Sequence, residues 1–137
     1  DADDIRKGVC SDLGFSFKDK SENIRRIAEM TKICSDQNII TIVASISPFR
    51  NGRDNARRLI EKDGKFYEIY VKASLKEVMR RDKKGLYKKF SEGKIKNLSV
   101  VDSKYEIPKN PNIIIDTEKN SLKESVNIIY HHIFEEL

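Results

Sequence analysis

Ser47 and Arg50 stand in Ile46-Ser47-Pro48-Phe49-Arg50, where a long apolar run is stopped by a proline. Proline cannot donate to a ladder and pushes the residue before it into an extended shape. If the run is a strand of a parallel sheet, both side chains stand just beyond its carboxyl end, where such sheets bind ligands. A second cluster is cationic. Lys83 to Asn97 holds six lysines, Lys83, Lys84, Lys88, Lys89, Lys94 and Lys96, against the single acid Glu92. With a net charge of +5 these suggest an anionic partner. Charge alone does not separate nucleic acid from nucleotide or sulfate, and a solvated basic face is the equal alternative for a lysine run.

These groups must be held by elements, and the chain reads as alternating helix and strand. Ile39 to Ile46 is β-branched and nearly all apolar, which predicts a strand buried on both faces. Ser21 to Asp36 carries Ile24, Ile27, Ala28, Thr31 and Cys34 at helical spacing. Asn51 can cap a helix through Arg53 to Glu61, closed by Asp63-Gly64. Phe66 to Val71 predicts a strand. Ser74-Leu75-Lys76-Glu77 is a capping-box pattern opening a helix with Leu75, Val78 and Met79 inward. Asn112 to Asp116, with three isoleucines, predicts another buried strand. Ser121-Leu122-Lys123-Glu124 opens a last helix with Leu122, Val126, Ile129 and Ile133 on its apolar stripe. Leu86, Tyr87 and Phe90 are spaced for one helical face within the lysine cluster, and Leu98 to Ile107 reads as a long loop, the kind that often serves as a lid. Alternation of this sort predicts a three-layer α/β/α domain with a mainly parallel sheet.

The 137 residues suit a single domain, and at 38% apolar and 36% charged residues the expected class is a soluble, charge-rich globular protein. No apolar run approaches the roughly 20 residues that cross a bilayer, and Asp1-Ala2-Asp3-Asp4 has no signal-peptide layout. Cys10 and Cys34 lack metal-ligand spacing, which predicts reduced thiols in a cytoplasmic protein. His131 and His132 are expected to face solvent.

Several separated motifs, in one order over essentially the whole chain, resemble the adenylylsulfate kinase (APS kinase) family. Asp1-Ala2-Asp3-Asp4-Ile5-Arg6 is similar to the family's Asp-Gly-Asp-Asn-x-Arg. Asp12-Leu13-Gly14-Phe15-Ser16 with Glu22-Asn23-Ile24-Arg25-Arg26 is similar to its substrate-binding segment, and Ile46-Ser47-Pro48-Phe49-Arg50 to its Ile-Ser-Pro-[Tyr/Phe/His]-Arg. Arg81-Asp82, Lys84-Gly85-Leu86-Tyr87-Lys88-Lys89 and Asp102-Ser103-Lys104-Tyr105-Glu106 resemble its lid. The resemblance implies a P-loop nucleoside-kinase-like domain that moves the γ-phosphate of ATP, with Mg²⁺, to the 3′-hydroxyl of adenosine 5′-phosphosulfate (APS), giving PAPS. It implies a homodimer, no nucleic acid and no membrane.

The same resemblance assigns roles. Asp1, Asp3 and Ser47 become catalytic: the carboxylates, expected at the end of an edge strand, orient the attacking hydroxyl or hold Mg²⁺ through water, with Asp3 on the hydroxyl. Capping of a helix near Ile5 is the alternative for both acids. Ser47 matches a serine that some members phosphorylate transiently, with a turn hydroxyl as the alternative. Arg6 grips the phosphosulfate, a task suited to a planar donor fork, with a surface salt bridge as the alternative. Phe15 stacks on the adenine, and Asn23 contacts the acceptor unless it is a helix cap. Arg25 and Arg26 face the same mouth or form ion pairs along their helix. Lys20, Ile46, Lys84, Leu86 and Leu98 complete the acceptor site, and Arg81 the ATP site.

The chain also departs from the family pattern. Neither Gly64-Lys65 nor Gly93-Lys94 belongs to Gly-x-x-x-x-Gly-Lys-[Ser/Thr], because Leu59 and Lys88 stand where the first glycine is needed. A strand, P-loop and helix are expected upstream, and the 137 residues are expected to be inactive by themselves. Leu98 replaces the phenylalanine that closes the adenine sandwich, Lys20 a common arginine, Ala2 a glycine and Lys83 a proline. A kinase of another nucleotide, such as cytidine diphosphoramidate, and a non-catalytic nucleotide-binding domain are therefore the alternatives. A basic nucleic-acid module, which would bind with steep salt dependence, has no accompanying motif.

Overall fold

The computed structural model describes residues 1–82, 85–94 and 105–135. These fall into two compact units, Asp1–Phe66 with the described part of Ser99–Ile107, and the described parts of Tyr67–Leu98 and Pro108–Leu137.

The first unit is helical around a loop. Helix α1 (Ala2–Ile5) is one turn, begun by Asp1, whose carboxylate accepts the Asp3 amide at 2.7 Å. The acids expected on an edge strand therefore open a helix instead, where negative charge meets the unpaired amides. Helix α2 (Phe17–Asp36) starts a turn earlier than Ser21. Ser16 caps the Asp19 amide while Asp19 reaches back to the Ser16 amide, a capping box with aspartate in the usual glutamate place. Asn23 is thus inside the helix and not its cap. Ile27 and Ala28 are buried on the predicted face. Helix α3 (Arg50–Ile60) packs on α2. The close approach falls at Gly52, where a Cβ would lie 3.3 Å from the Ile24 methyl. Asn51 does not cap α3, which begins one residue before it. Phe49 is the cap residue and makes no side-chain bond; Glu106 supplies the acceptor instead, its Oε2 taking the Arg50 amide at 2.7 Å.

The apolar run Ile39 to Ile46 departs from expectation. It belongs to no strand among the described residues, and Ile42 is 88% exposed. β-branched composition states a preference, but a strand also needs a neighbour to complete its ladder. Here the backbone is tied to α1, the Ala2 amide donating to the Ala44 carbonyl at 3.0 Å.

The second unit contains the sheet. Strands β1 (Ile69–Lys72) and β2 (Ile113–Asp116) pair in parallel, Ile69 with Ile113 and Lys72 with Asp116. Ile113 and Ile115 are buried while Ile114 and Val71 are exposed, so β2 buries one face and not two. Helix α4 (Leu75–Arg80) is capped by Ser74, but Leu75 and Met79, expected inward, are exposed. Helix α5 (Leu86–Ser91) starts from Gly85 at φ +62°, a conformation open to glycine at little cost. Helix α6 (Leu122–Phe134) has the expected capping box between Ser121 and Glu124. Its first stripe residues, Leu122 and Val126, are exposed, and the half-buried Ile129 and Ile133 lie further along. His131 is exposed as expected and meets Glu135; His132 is not, lying half-buried with its ring 6.2 Å from Tyr67 in an edge-to-face contact. Among the described residues no helix is long and apolar enough to cross a membrane.

Adjacent positions of β2 supply a test. Ile115, at 1% exposure, should lose about 2–5 kcal/mol on truncation to alanine, whereas Ile114→Ala should stay within about 0.5 kcal/mol. Denaturant titration of the two variants checks the difference.

Candidate functional site

Three segments of the first unit converge. Arg6, just after α1, donates through Nη1 to the carbonyls of Leu13 (3.3 Å) and Gly14 (3.0 Å). Its guanidinium lies 4.5 Å from the centroid of the Phe15 ring. Neither contact is the surface salt bridge of the alternative reading. Phe15 is 57% exposed, so an aromatic face is on offer at the surface. On α2, Lys20 and Asn23, three residues apart, are both buried. Asn23 is 4% exposed, and its Oδ1 has no hydrogen-bond partner among the described residues. A buried acceptor left unpaired costs on the order of 1–3 kcal/mol, which a ligand donor would recover.

The third segment is the elbow Ile46 to Arg50. The Phe49 ring packs on Phe17 at the start of α2, centroids 4.4 Å apart, which sets the elbow beside the Phe15 loop. Ile46 is exposed and Ser47 half-buried. Ser47 has φ +39°, a left-handed conformation that costs a non-glycine residue roughly 1–3 kcal/mol. The turn hydroxyl belongs to Ser45, whose Oγ accepts the Ser47 amide at 3.3 Å. Arg53, on the first turns of α3, is 8% exposed and donates through Nη1 to the Ser47 carbonyl at 2.6 Å. Sequence reasoning passed over Arg53. The signal was present: Arg53 shares a helix face with Ile60, an arginine on an otherwise buried stripe.

Arg25 and Arg26 follow the ion-pair reading. Arg25 pairs with Glu22 at 2.7 Å, and Arg26 with Glu22 at 2.9 Å and with Asp12 at 2.6 Å. Arg26 also donates to the Val9 carbonyl at 2.9 Å, fastening the loop before Phe15 to α2. Hydrogen bonds from Arg25 and then Arg26 hold the Glu22 carboxyl down at about 2, and the bond from Arg26 lowers Asp12.

The remaining expected residues lie elsewhere. Arg81 and Leu86 belong to the second unit. Arg81 is engaged by Glu77 and by the hydroxyl and carbonyl of Thr117 at 2.9 and 2.8 Å. Leu86 opens α5 and is exposed. Lys84 and Leu98 lie outside the described residues. So do residues 95–104 of the expected lid; its described end, Tyr105 to Ile107, joins the first unit.

A parallel sheet with helices defines an α/β protein. The family model of adenylylsulphate kinase matches residues 1–116, and the chain belongs to that family. An adenylyl-sulfate kinase of Staphylococcus carnosus is 49% identical over 97% of this chain and 66% of the relative. The chain therefore spans 66% of that relative's length. A Mycobacterium tuberculosis APS kinase, solved in complex with AMPPNP and APS, is 32% identical with a TM-score of 0.84, covering 93% of this chain and 75% of the other. A hexameric APS kinase from Thiobacillus denitrificans is 28% identical with a TM-score of 0.70, over 99% of this chain and 22% of that one. The fold is accordingly that of the P-loop nucleoside kinases, α/β with a parallel sheet.

Because the Glu22 carboxyl titrates lower in the fold than the ordinary value near 4.3, its pairing contributes stability that is complete above that value. The contribution is lost as pH falls through about 2. Carboxyl NMR titration should place the Glu22 midpoint near 2, and Arg25→Gln should raise it; an unchanged midpoint would contradict the assigned cause.

Proposed function

We propose that the protein is an adenylylsulfate kinase, transferring the γ-phosphate of ATP to the 3′-hydroxyl of APS. The observation that carries this reading is the Asn23 Oδ1, buried on α2 with no hydrogen-bond partner among the described residues, together with an exposed Phe15 just before that helix whose ring is backed by Arg6. An aromatic face for a base, a buried acceptor for a base or ribose donor and a guanidinium for an anionic tail suit a nucleotide acceptor. Family membership supports the same chemistry. The match crosses from the first unit into the second, which supports one kinase domain spanning both.

In this reading the 3′-oxygen attacks the γ-phosphorus, the bond to the β,γ-bridging oxygen breaks, ADP leaves and the hydroxyl proton passes to Asp3. Phosphoryl transfer asks mainly for positioning and charge neutralisation. Arg6 holds the phosphosulfate, and Phe15 and Asn23 the base and ribose; the family resemblance assigns Lys20, Ile46, Ser47, Lys84, Leu86 and Leu98 to the acceptor and Arg81 to ATP. Asp1 has spent one carboxylate oxygen on the α1 cap and keeps the other. Among the described residues no group of three or more acids, histidines or cysteines gathers for a metal. Mg²⁺ needs only one or two carboxylates, its remaining ligands coming from water and phosphate; Asp1 would hold it through water, and it would neutralise phosphate charge. Two free thiols, Cys10 and Cys34, support a cytoplasmic setting. A homodimer is the assembly expected, the hexameric relative supporting self-association in general.

Lys20 and Leu98, in place of arginine and phenylalanine, favour a second reading in which the acceptor is another nucleotide with a sulfate-like tail. The complete protein with ATP, Mg²⁺ and APS should form PAPS, and Asp3→Asn should remove most of the rate. Equal rates would reject Asp3's role. Phe15→Ala should weaken APS binding by about 5- to 150-fold, the equivalent of about 1–3 kcal/mol of stacking. Calorimetric titration with APS and cytidine nucleotides in parallel decides between the two acceptors.

A further inference from the structure

The Ser47 elbow is held only in part by its own neighbours in sequence, the Ser45 hydroxyl taking the Ser47 amide. Arg53 spans the gap between two stretches of backbone: Nη1 donates to the Ser47 carbonyl at 2.6 Å and Nη2 to the Glu106 carbonyl. Its guanidinium also sits 5.5 Å from the Tyr105 ring centroid. Glu106 closes the circuit from the other side. Its amide donates to the Pro48 carbonyl at 2.9 Å, and its Oε2 accepts the Arg50 amide at 2.7 Å. Arg50 Nη2 then reaches the Ile107 carbonyl at 3.1 Å. The Ser47 and Pro48 carbonyls and the Arg50 amide are thus fixed by residues of α3 or of the 105–107 segment. A strained residue persists where its surroundings over-determine it, and this is such a place.

We propose that Arg53 and Glu106 are positioning residues that lock the Ser47–Arg50 elbow in its left-handed turn and so set Ser47 against the acceptor nucleotide. The acceptor part of this inference rests on the kinase reading above. Arg53 acts through its planar fork, which reaches two carbonyls at once. Lysine keeps the charge and cannot span both. Glu106 acts through one oxygen that caps α3, which glutamine also supplies.

The test uses the complete protein with ATP, Mg²⁺ and APS. Arg53→Lys and Glu106→Ala should each raise KM for APS about 10- to 100-fold, the scale of a displaced binding group, with KM for ATP within about twofold of wild type. Glu106→Gln should recover most of the loss. A purely structural contact would lower Tm and leave the ratio of the two KM values unmoved. If Arg53→Lys is too unstable to assay, Glu106→Ala against Glu106→Gln carries the same comparison. Unchanged KM for APS in both variants, or an equal rise for both substrates, overturns the inference. Wild-type protein that makes no PAPS defeats the kinase reading and the acceptor role together. The lock itself is still read by the Ser47 backbone chemical shifts, which should leave the left-handed region in Arg53→Lys; if they stay, the lock is refuted as well.

Discussion

A guanidinium bridging two carbonyls is the constraint on which the first unit turns. Between Asn38 and Phe49 the chain belongs to no helix or strand among the described residues, so nothing periodic fixes its course. Arg53 fastens its far end to α3 and to the 105–107 segment, while the Ala2 amide fastens its middle to α1. A buried arginine is costly to desolvate unless its donors are met. Meeting two of them with backbone carbonyls commits those donors to holding irregular chain in place.

The same device recurs where the Phe15 loop meets α2. Arg6 holds the carbonyls of Leu13 and Gly14, and Arg26 holds the Val9 carbonyl with Asp12. Loops that carry function are commonly positioned by a rigid scaffold, and here arginines are the fasteners. The basic composition therefore has a structural share: part of the positive charge is occupied with backbone, and net charge overstates what is left for an anionic partner.

What was legible in the sequence was local. Ser121 and Glu124 announce their helix because a capping box is complete within four residues, and the run of three isoleucines from Ile113 to Ile115 marks β2. Ser16 and Asp19 form the same motif with a shorter acid, so apolar spacing alone puts the start of α2 a turn too late. Arg6, Phe15 and Asn23 stand out in the sequence through the family motifs alone, and the structure adds that Asn23 is buried with an acceptor unsatisfied among the described residues. Ile39 to Ile46 misled because its residue types specify a strand without specifying its partner. The tie between α3 and Glu106 was illegible for the opposite reason. Arg50 and Arg53 stand more than fifty residues from Glu106, beyond the reach of any spacing rule.

Capping a helix from so far along the chain has a kinetic side. The acceptor for the Arg50 amide is separated from it by 56 residues. At a synthesis rate of about 5–20 residues per second, the first turn of α3 waits on the order of 3–11 seconds for its cap to leave the ribosome. During that interval its leading amides are free, and the loop that must close to reach them is long. The amino-terminal end of α3 is therefore a late-maturing edge of an early-made helix, a delay that pulse-labelling of the Arg50 amide would register.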